Sequence, residues 1–105
     1  MTIIETPIFT KRLKTLLSDE EYRQLQNSLI SDPEAGKIIP HSGGLRKLRW
    51  SGSGRGKRGG SRVIYYWVTK RETILLLLIY AKNVQEDLTT EQLKILRKLV
   101  EEELQ

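Results

Sequence analysis

The apolar residues in the first third of the chain recur at spacings of three and four, the period of an amphipathic helix. A short strand over residues 2–5, closed by Pro7, precedes them. Two helices are predicted, and their inward residues are Phe9, Leu13, Leu16, Tyr22, Leu25 and Leu29. Ser18 and Glu21 form a capping box at the start of the second helix, and Asp32-Pro33 stops it. This segment therefore predicts a strand followed by a helical hairpin.

The pattern changes from helical periods to strands after residue 44. Residues 45–50 alternate between the two faces of a strand, with Leu45, Lys47 and Arg49 on one side. Residues 62–68 are β-branched and aromatic, and residues 73–80 form a continuous apolar run typical of a strand buried on both faces. Three further strands are therefore predicted.

The remaining segments are loops and one helix. Loops are expected over residues 35–44 and 51–61, and residues 69–72 turn the chain. Thr89 and Gln92 form a second capping box. It opens a helix whose inward residues are Leu93, Leu96, Val100 and Leu104. The order β-α-α-β-β-β-α predicts an α+β fold, an antiparallel sheet meander with an N-terminal helical hairpin and a C-terminal helix. At 105 residues we expect a single domain, residues 1–105.

Positive charge is concentrated in the middle of the chain. Ten basic residues and no acidic residue lie between Lys37 and Arg71, whereas the remainder carries eight basic and thirteen acidic residues. Such a concentration creates a strong local field. Because the basic residues are interleaved with glycine and serine, the segment is typical of a surface that binds a polyanion. RNA is the predicted partner.

The sequence argues against several common kinds of site. It has no cysteine, which excludes disulfides and thiolate metal sites, and we expect neither a metal nor another cofactor. Residues 54–59 match the glycine pattern of a dinucleotide-binding loop, but they run into a strand instead of opening a helix. His41 is the only histidine, which excludes a pair of histidines and argues against a histidine-based triad. Without a long apolar run or an export signal, a cytoplasmic protein with no membrane partner is expected.

Three segments carry a resemblance to a known family. The strand at 43–49, the stretch at 57–66 and the segment at 79–83 resemble the RelE superfamily of bacterial toxins, and its HigB-like branch in particular. The resemblance implies an mRNA interferase of a type II toxin–antitoxin system, which is an endoribonuclease that enters the ribosomal A site and cuts translated mRNA. It also implies a helix-turn-helix antitoxin of the HigA type as partner, and a free toxin that is monomeric.

The resemblance also assigns site residues. The residues predicted to be catalytic are Lys47, Arg49, Arg62 and Lys82. They match two alternating basic residues of the second family strand, the arginine that opens the third strand and the basic residue after the last strand. The residues predicted to bind RNA are Arg46, Arg55, Lys57, Arg58 and Asn83. Asn83 stands where many RelE toxins have an arginine, and Thr89 is the nearest equivalent of their catalytic or base-stacking tyrosine.

Such a cluster can cleave RNA without a metal. Attack by the 2′-OH needs a base, cations for the pentacoordinate phosphate and an acid for the 5′-oxygen. Arginine keeps its proton, so Arg49 and Arg62 are expected to hold the phosphate. A lysine crowded by cations can change protonation state, so Lys47 is the candidate base or electrostatic stabiliser. Lys82 is a candidate acid or a further phosphate ligand. Because Arg62 opens an apolar strand, we expect it to have no packing role.

Two other functions stay open at this point. A nonenzymatic toxin of the same superfamily, of the gyrase-poison type, shares the scaffold but lacks the basic catalytic cluster. A ribosome- or RNA-binding module would need only the basic, glycine-rich loop.

Overall fold

The computed structural model describes residues 1–51 and 60–104, which form a five-stranded sheet with helices on both faces. In chain order the elements are β1 (Thr2–Glu5), α1 (Pro7–Leu16), α2 (Asp19–Ser31), β2 (Lys37–Ile38), β3 (Arg46–Trp50), β4 (Ser61–Val68), β5 (Thr73–Ala81) and α3 (Thr90–Glu103). A 3-10 turn over Thr69–Arg71 joins β4 to β5. The predicted α+β fold is confirmed. In the part of the chain described, no helix is long and apolar enough to span a membrane.

The sheet has the strand order β1-β5-β4-β3-β2 and is mixed. Strands β2 to β5 form an antiparallel meander, but β1 pairs in parallel with β5, from Thr2 opposite Thr73 to Glu5 opposite Leu76. The predicted antiparallel meander is confirmed for β3 to β5, and the parallel pairing of β1 makes the sheet mixed. Parallel pairing requires a crossover connection, which α1, α2 and the meander provide. Hydrophobic patterns locate strands without giving their direction.

A short strand, β2, lies inside the segment that was expected to be a loop. Lys37 and Ile38 pair with Lys47 and Arg46 of β3. Two residues are too few to produce a recognisable alternation, so the sequence pattern could not reveal this strand.

The helix starts are the features that local sequence determines best. Ser18 Oγ accepts the backbone N–H of Glu21 at 3.1 Å, and the Glu21 carboxylate accepts the N–H of Ser18 at 2.9 Å. Thr89 and Gln92 make the same reciprocal bonds at 3.0 Å. Both predicted capping boxes are confirmed. Pro7 ends β1 as expected and is also the first residue of α1, a position where no N–H is needed.

Apolar side chains pack on both faces of the sheet. The face covered by α1 and α2 buries Phe9, Leu13, Leu25, Leu29, Val63, Tyr65, Ile74, Leu76 and Ile79. The face covered by α3 buries Leu45, Ile64, Val68, Leu75, Leu77, Leu78, Tyr80, Leu96 and Val100. Strand β5 is buried on both faces, as predicted. Leu104, predicted to point inward, is 37% exposed because α3 ends at Glu103.

Candidate functional site

Three of the predicted catalytic residues share one face of the sheet. In the pairing of β3 with β4, Arg49 lies opposite Arg62 and Lys47 lies opposite Ile64. Alternate residues of a strand point to the same side, so Lys47, Arg49 and Arg62 lie on the face that α3 partly covers. The structure therefore brings these three cations together.

A fourth cation joins them from β2. Lys37 is directly opposite Lys47 in the antiparallel pairing of β2 with β3. Like charges placed directly opposite each other destabilise a sheet. Sequence reasoning missed Lys37 as a site residue, because its segment was expected to be a loop. This pairing adds a fourth cation to the same face of the sheet.

The three cations of the cluster on β3 and β4 differ in their access to solvent. Arg49 is exposed and makes no ion pair with the described residues. The side chain of Lys47 is 18% exposed, whereas Arg62 as a whole residue is only 4% exposed. Of these three, only Arg49 can therefore meet a phosphate without rearrangement of the surrounding side chains.

Arg62 is buried against a carboxylate. Its Nε donates to Glu86 Oε2 at 2.9 Å, and its Nη2 donates to Glu86 Oε1 at 3.1 Å. The expectation that Arg62 has no packing role is wrong. Strand alternation turns its side chain toward the segment 82–89, which carries Glu86 over the sheet. A bidentate bond of this kind is among the stronger polar contacts in proteins.

Two carboxylates also meet Lys47. Its Nζ lies 2.6 Å from Asp87 Oδ1 and 3.4 Å from Glu86 Oε2. Hydrogen bonding from Arg62 lowers the pKa of Glu86 to about 2, with smaller contributions in the same direction from the charge of Arg62 and from Lys47. The sequence argument for a lysine base assumed a surrounding of cations alone. In the folded protein Lys47 stands between cations and carboxylates.

Tyr80 holds the backbone of the loop that carries Glu86. It lies opposite Arg62 in the pairing of β4 with β5, and its hydroxyl donates to the backbone carbonyl of Glu86 at 3.2 Å. Burial raises the pKa of Tyr80 to about 12, and the charges of Asp87 and Glu86 act in the same direction. The phenol therefore stays protonated at neutral pH and holds the backbone of the loop.

Arg46 lies on the opposite face of β3 from the cluster. Its guanidinium donates to the carbonyl of Gly36 at 2.8 Å and to that of Glu34 at 3.2 Å, and it is 3.6 Å from the Glu34 carboxylate. These bonds fasten the segment that leads into β2. Among the predicted RNA-binding residues, Arg46 is therefore one that the structure does not bring to the site.

The same segment is held by Tyr65, which is fully buried. Its hydroxyl donates to the carbonyl of Pro33 at 2.7 Å and accepts the N–H of Gly36 at 2.9 Å. A Cβ on Gly36 would lie 2.8 Å from the Tyr65 ring, so glycine is required there. Together Tyr65 and Arg46 fix the chain just before Lys37.

The other predicted residues lie at the margin of the site or outside the described part of the chain. Lys82 and Asn83 are exposed and immediately follow β5, and the backbone N–H of Lys82 donates to the carbonyl of Gly60 at 3.1 Å. The predicted RNA-binding residues of the glycine-rich loop are Arg55, Lys57 and Arg58, which lie outside the described residues.

Two open clefts flank Lys37 and Lys47. One, of about 340 Å³, is bordered by both lysines and Asp87 and has apolar walls that include Leu88 and Leu93. The other, of about 350 Å³, adds Arg49. In residues 1–51 and 60–104 no group of His, Cys, Asp or Glu is arranged to hold a metal. The arrangement as a whole suits a phosphate chain with room for groups on either side of it.

Glu86 and Asp87 are the functional candidates that sequence reasoning missed. The sequence indicated them only by their position, because they are acidic neighbours in the short connection between β5 and α3. The predicted strand ends place that connection near Lys82, and hence near the edge of the site.

Comparisons with known proteins agree with this architecture. A family model described as the RelE toxin of the RelE/RelB toxin–antitoxin system matches residues 1–105. The crystal structure of the intact E. coli RelBE toxin–antitoxin complex contains a chain with a TM-score of 0.57 and 16% identity, over 74% of this chain and 92% of that one. The structure of E. coli RelE in the free state, with two arginines replaced by alanine, has a TM-score of 0.58 and 16% identity, over 81% of this chain and 86% of that one. At this identity the two structures establish the fold alone.

Proposed function

The chain belongs to the RelE family of toxins of toxin–antitoxin systems, and from that premise we propose that it is a ribosome-dependent endoribonuclease. On this proposal the whole chain is one toxin domain that cuts mRNA in the ribosomal A site and so stops translation in the cytoplasm. The observation that carries the proposal is the cluster of Lys37, Lys47, Arg49 and Arg62, which adjoining strands place on one side of the sheet beside open clefts.

The proposed reaction is attack by the 2′-oxygen of a nucleotide on its own 3′ phosphate. The 2′-OH loses its proton, the new bond to phosphorus forms, and the bond to the 5′-oxygen breaks as that oxygen takes up a proton. The products are a 2′,3′-cyclic phosphate and a 5′-hydroxyl. Cations that are already positioned at the oxygens that gain negative charge lower the activation barrier of the reaction. No metal is needed for any of these steps.

The residues divide these tasks according to their chemistry. Arg49 and Arg62 keep their charge and are assigned to the phosphate oxygens. Lys47, at the centre of the cluster, is assigned to the electrostatic stabilisation of the phosphate, or to the base. Lys82, at the exposed end of β5, is assigned to the proton for the 5′-oxygen. Arg55, Lys57, Arg58 and Asn83 are assigned to binding of ribosomal or messenger RNA.

Dependence on the ribosome follows from what the site lacks. The described residues contain a single histidine, His41, and the two carboxylates beside the cluster are held in ion pairs with Lys47 and Arg62. A ribosome that holds mRNA with the 2′-oxygen in line with the phosphate supplies orientation, which can be worth roughly 7–11 kcal/mol at its limit.

The test compares one mRNA, free and programmed into ribosomes, with purified protein added and the new 5′ ends mapped. The proposal expects cuts within translated codons on ribosomes and few on free mRNA. Arg49→Ala should abolish the cuts, whereas Arg12→Ala, an exposed arginine on α1, should not. Efficient cutting of free mRNA at any codon would refute ribosome dependence. Intact mRNA with DNA damage in cells would instead indicate a gyrase poison.

The partner is proposed on the same basis. The E. coli relative forms a toxin–antitoxin complex, and a basic surface is complementary to an acidic partner. We therefore propose a cognate antitoxin, of the helix-turn-helix HigA type if the chain belongs to the HigB-like branch. The product of an adjacent small gene should restore growth and co-purify with the chain. Failure of both would remove the support for this partner.

A further inference from the structure

We propose that Glu86 and Asp87 determine substrate selectivity by occupying the phosphate position beside Lys47 and Arg62, so that free RNA is excluded and only RNA held in place displaces them. This inference rests on the proposed function and deepens it. It gives the ribosome dependence a cause within this chain.

The two oxygens of the Glu86 carboxylate occupy positions beside Arg62 and Lys47 that two oxygens of a phosphate could take. Oε2 is shared between Arg62 Nε at 2.9 Å and Lys47 Nζ at 3.4 Å, while Oε1 takes Arg62 Nη2 at 3.1 Å. Arginine forks bind carboxylates and phosphates through the same pair of parallel hydrogen bonds. An RNA phosphate and Glu86 therefore compete for one position.

Asp87 closes the same position from the outside. Its Oδ1 lies 2.6 Å from Lys47 Nζ, and it borders the cleft of about 340 Å³ together with Lys37. An incoming phosphate would meet this carboxylate before it reached Lys47. Like charges brought together at an interface weaken binding, which is one way in which proteins reject a wrong partner.

The two carboxylates can move without unfolding the site. The Glu86 side chain is 41% exposed and that of Asp87 is 77% exposed, so both can turn into solvent. Their backbone is held in place by Tyr80, which donates to the carbonyl of Glu86, and by Gln85 Nε2, which donates to the carbonyl of Asp87 at 2.9 Å. Opening is thus a matter of side-chain rotation, and the carboxylates return when the RNA leaves.

This competition separates free RNA from RNA on a ribosome. The carboxylates belong to the same chain as the cations and act at a high effective concentration, which a dilute oligonucleotide cannot match. A phosphate that a ribosome already holds against the site has lost most of its freedom and also competes at a high effective concentration. The wild-type protein should therefore bind free RNA weakly despite its net charge of +5.

The test measures binding separately from cleavage. The probe is a fluorescent single-stranded RNA with 2′-O-methyl groups throughout, which cannot undergo 2′-OH attack, and its affinity is read by anisotropy over a series of salt concentrations. Asp87→Asn and Glu86→Gln are compared with Asp19→Asn. The control makes the same change in charge at an exposed position on α2, on the opposite side of the sheet.

Asp87→Asn and Glu86→Gln should each bind the probe on the order of tenfold more tightly than wild type. The slope of log affinity against log salt should steepen by about 0.7 for each additional phosphate that the protein neutralises. Asp19→Asn should change affinity less than twofold. On unmodified RNA, the ratio of free to ribosome-dependent cleavage should rise in both variants.

Unchanged or weaker binding in both variants would overturn the inference, because the carboxylates would then support the site instead of blocking it. If Glu86→Gln fails to fold, Asp87→Asn, at an exposed position, decides the question alone. Tighter binding without any cleavage on ribosomes would support the inference while refuting the proposed function. Cleavage on ribosomes with no increase in binding would refute the inference alone.

Discussion

Removing the hydroxyl of Tyr65 is expected to destabilise the protein strongly for so small a change. Tyr65→Phe deletes two hydrogen bonds, one to the buried N–H of Gly36 at 2.9 Å and one to the partly buried carbonyl of Pro33 at 2.7 Å. A buried donor left unpaired costs about 1–3 kcal/mol, and a carbonyl that water can reach costs about 0.5–1.5 kcal/mol. We therefore expect a loss of about 2–3 kcal/mol in the free energy of unfolding.

The measurement is urea denaturation followed by circular dichroism. With a slope of about 1–3 kcal/mol per molar urea, the midpoint should fall by about 1–2 M at unchanged slope. Tyr66→Phe is the matched control, because Tyr66 is only half-buried and its hydroxyl makes no hydrogen bond with the described residues. A midpoint for Tyr65→Phe within error of the Tyr66→Phe value would refute the reasoning. A looser segment before Lys37 should also lower activity.

Four further substitutions test other contacts. Arg62→Ala should abolish cleavage and also lower the free energy of unfolding by about 2 kcal/mol, since charged hydrogen bonds are lost. Arg49→Ala, at an exposed position, should abolish cleavage as well, but chemical denaturation should show a stability change below about 0.5 kcal/mol. Because Arg62 lowers the pKa of Glu86 from 4.5 to about 2, the pair stabilises the fold above pH 4.5 and this contribution is lost as pH falls toward 2. Glu86→Gln should reduce this loss of stability at acid pH, as read from denaturation curves measured across that pH range. An unchanged loss of stability in the variant would contradict the assignment. Gly60→Ala should cost at least about 2 kcal/mol by the same assay, because φ is +64° and the new Cβ would lie 2.3 Å from the Trp50 carbonyl oxygen.

Features that depend on neighbouring residues could be predicted from the sequence. The capping boxes of α2 and α3 involve partners three residues apart, and strand alternation by itself puts Lys47 and Arg49 on one face. Strand and helix periods are local properties, so they survive folding unchanged. The RelE family, suggested by segments within residues 43–83, is likewise confirmed by the match over residues 1–105.

Features that depend on distant residues could not be predicted. Glu86 is 24 residues from Arg62, and Asp87 is 40 residues from Lys47. The absence of acidic residues between positions 37 and 71 suggested a site of pure positive charge, because charge was counted along the chain. Folding brings carboxylates from outside that segment onto two of the cations. Electrostatic fields depend on distances in space, and the sequence contains these only through the fold.

The parallel pairing of β1 with β5 also orders events during synthesis. Thr2, which is made well before Thr73, takes its place only when Thr73 is available, and the pairing continues to Leu76. Contacts between residues so far apart in sequence close late and slow the folding of a domain. Until β1 pairs with it, the edge of β5 has no partner on that side. A growing chain therefore cannot complete this sheet before residues 73–76 have left the ribosome, on which the finished protein is proposed to cut mRNA.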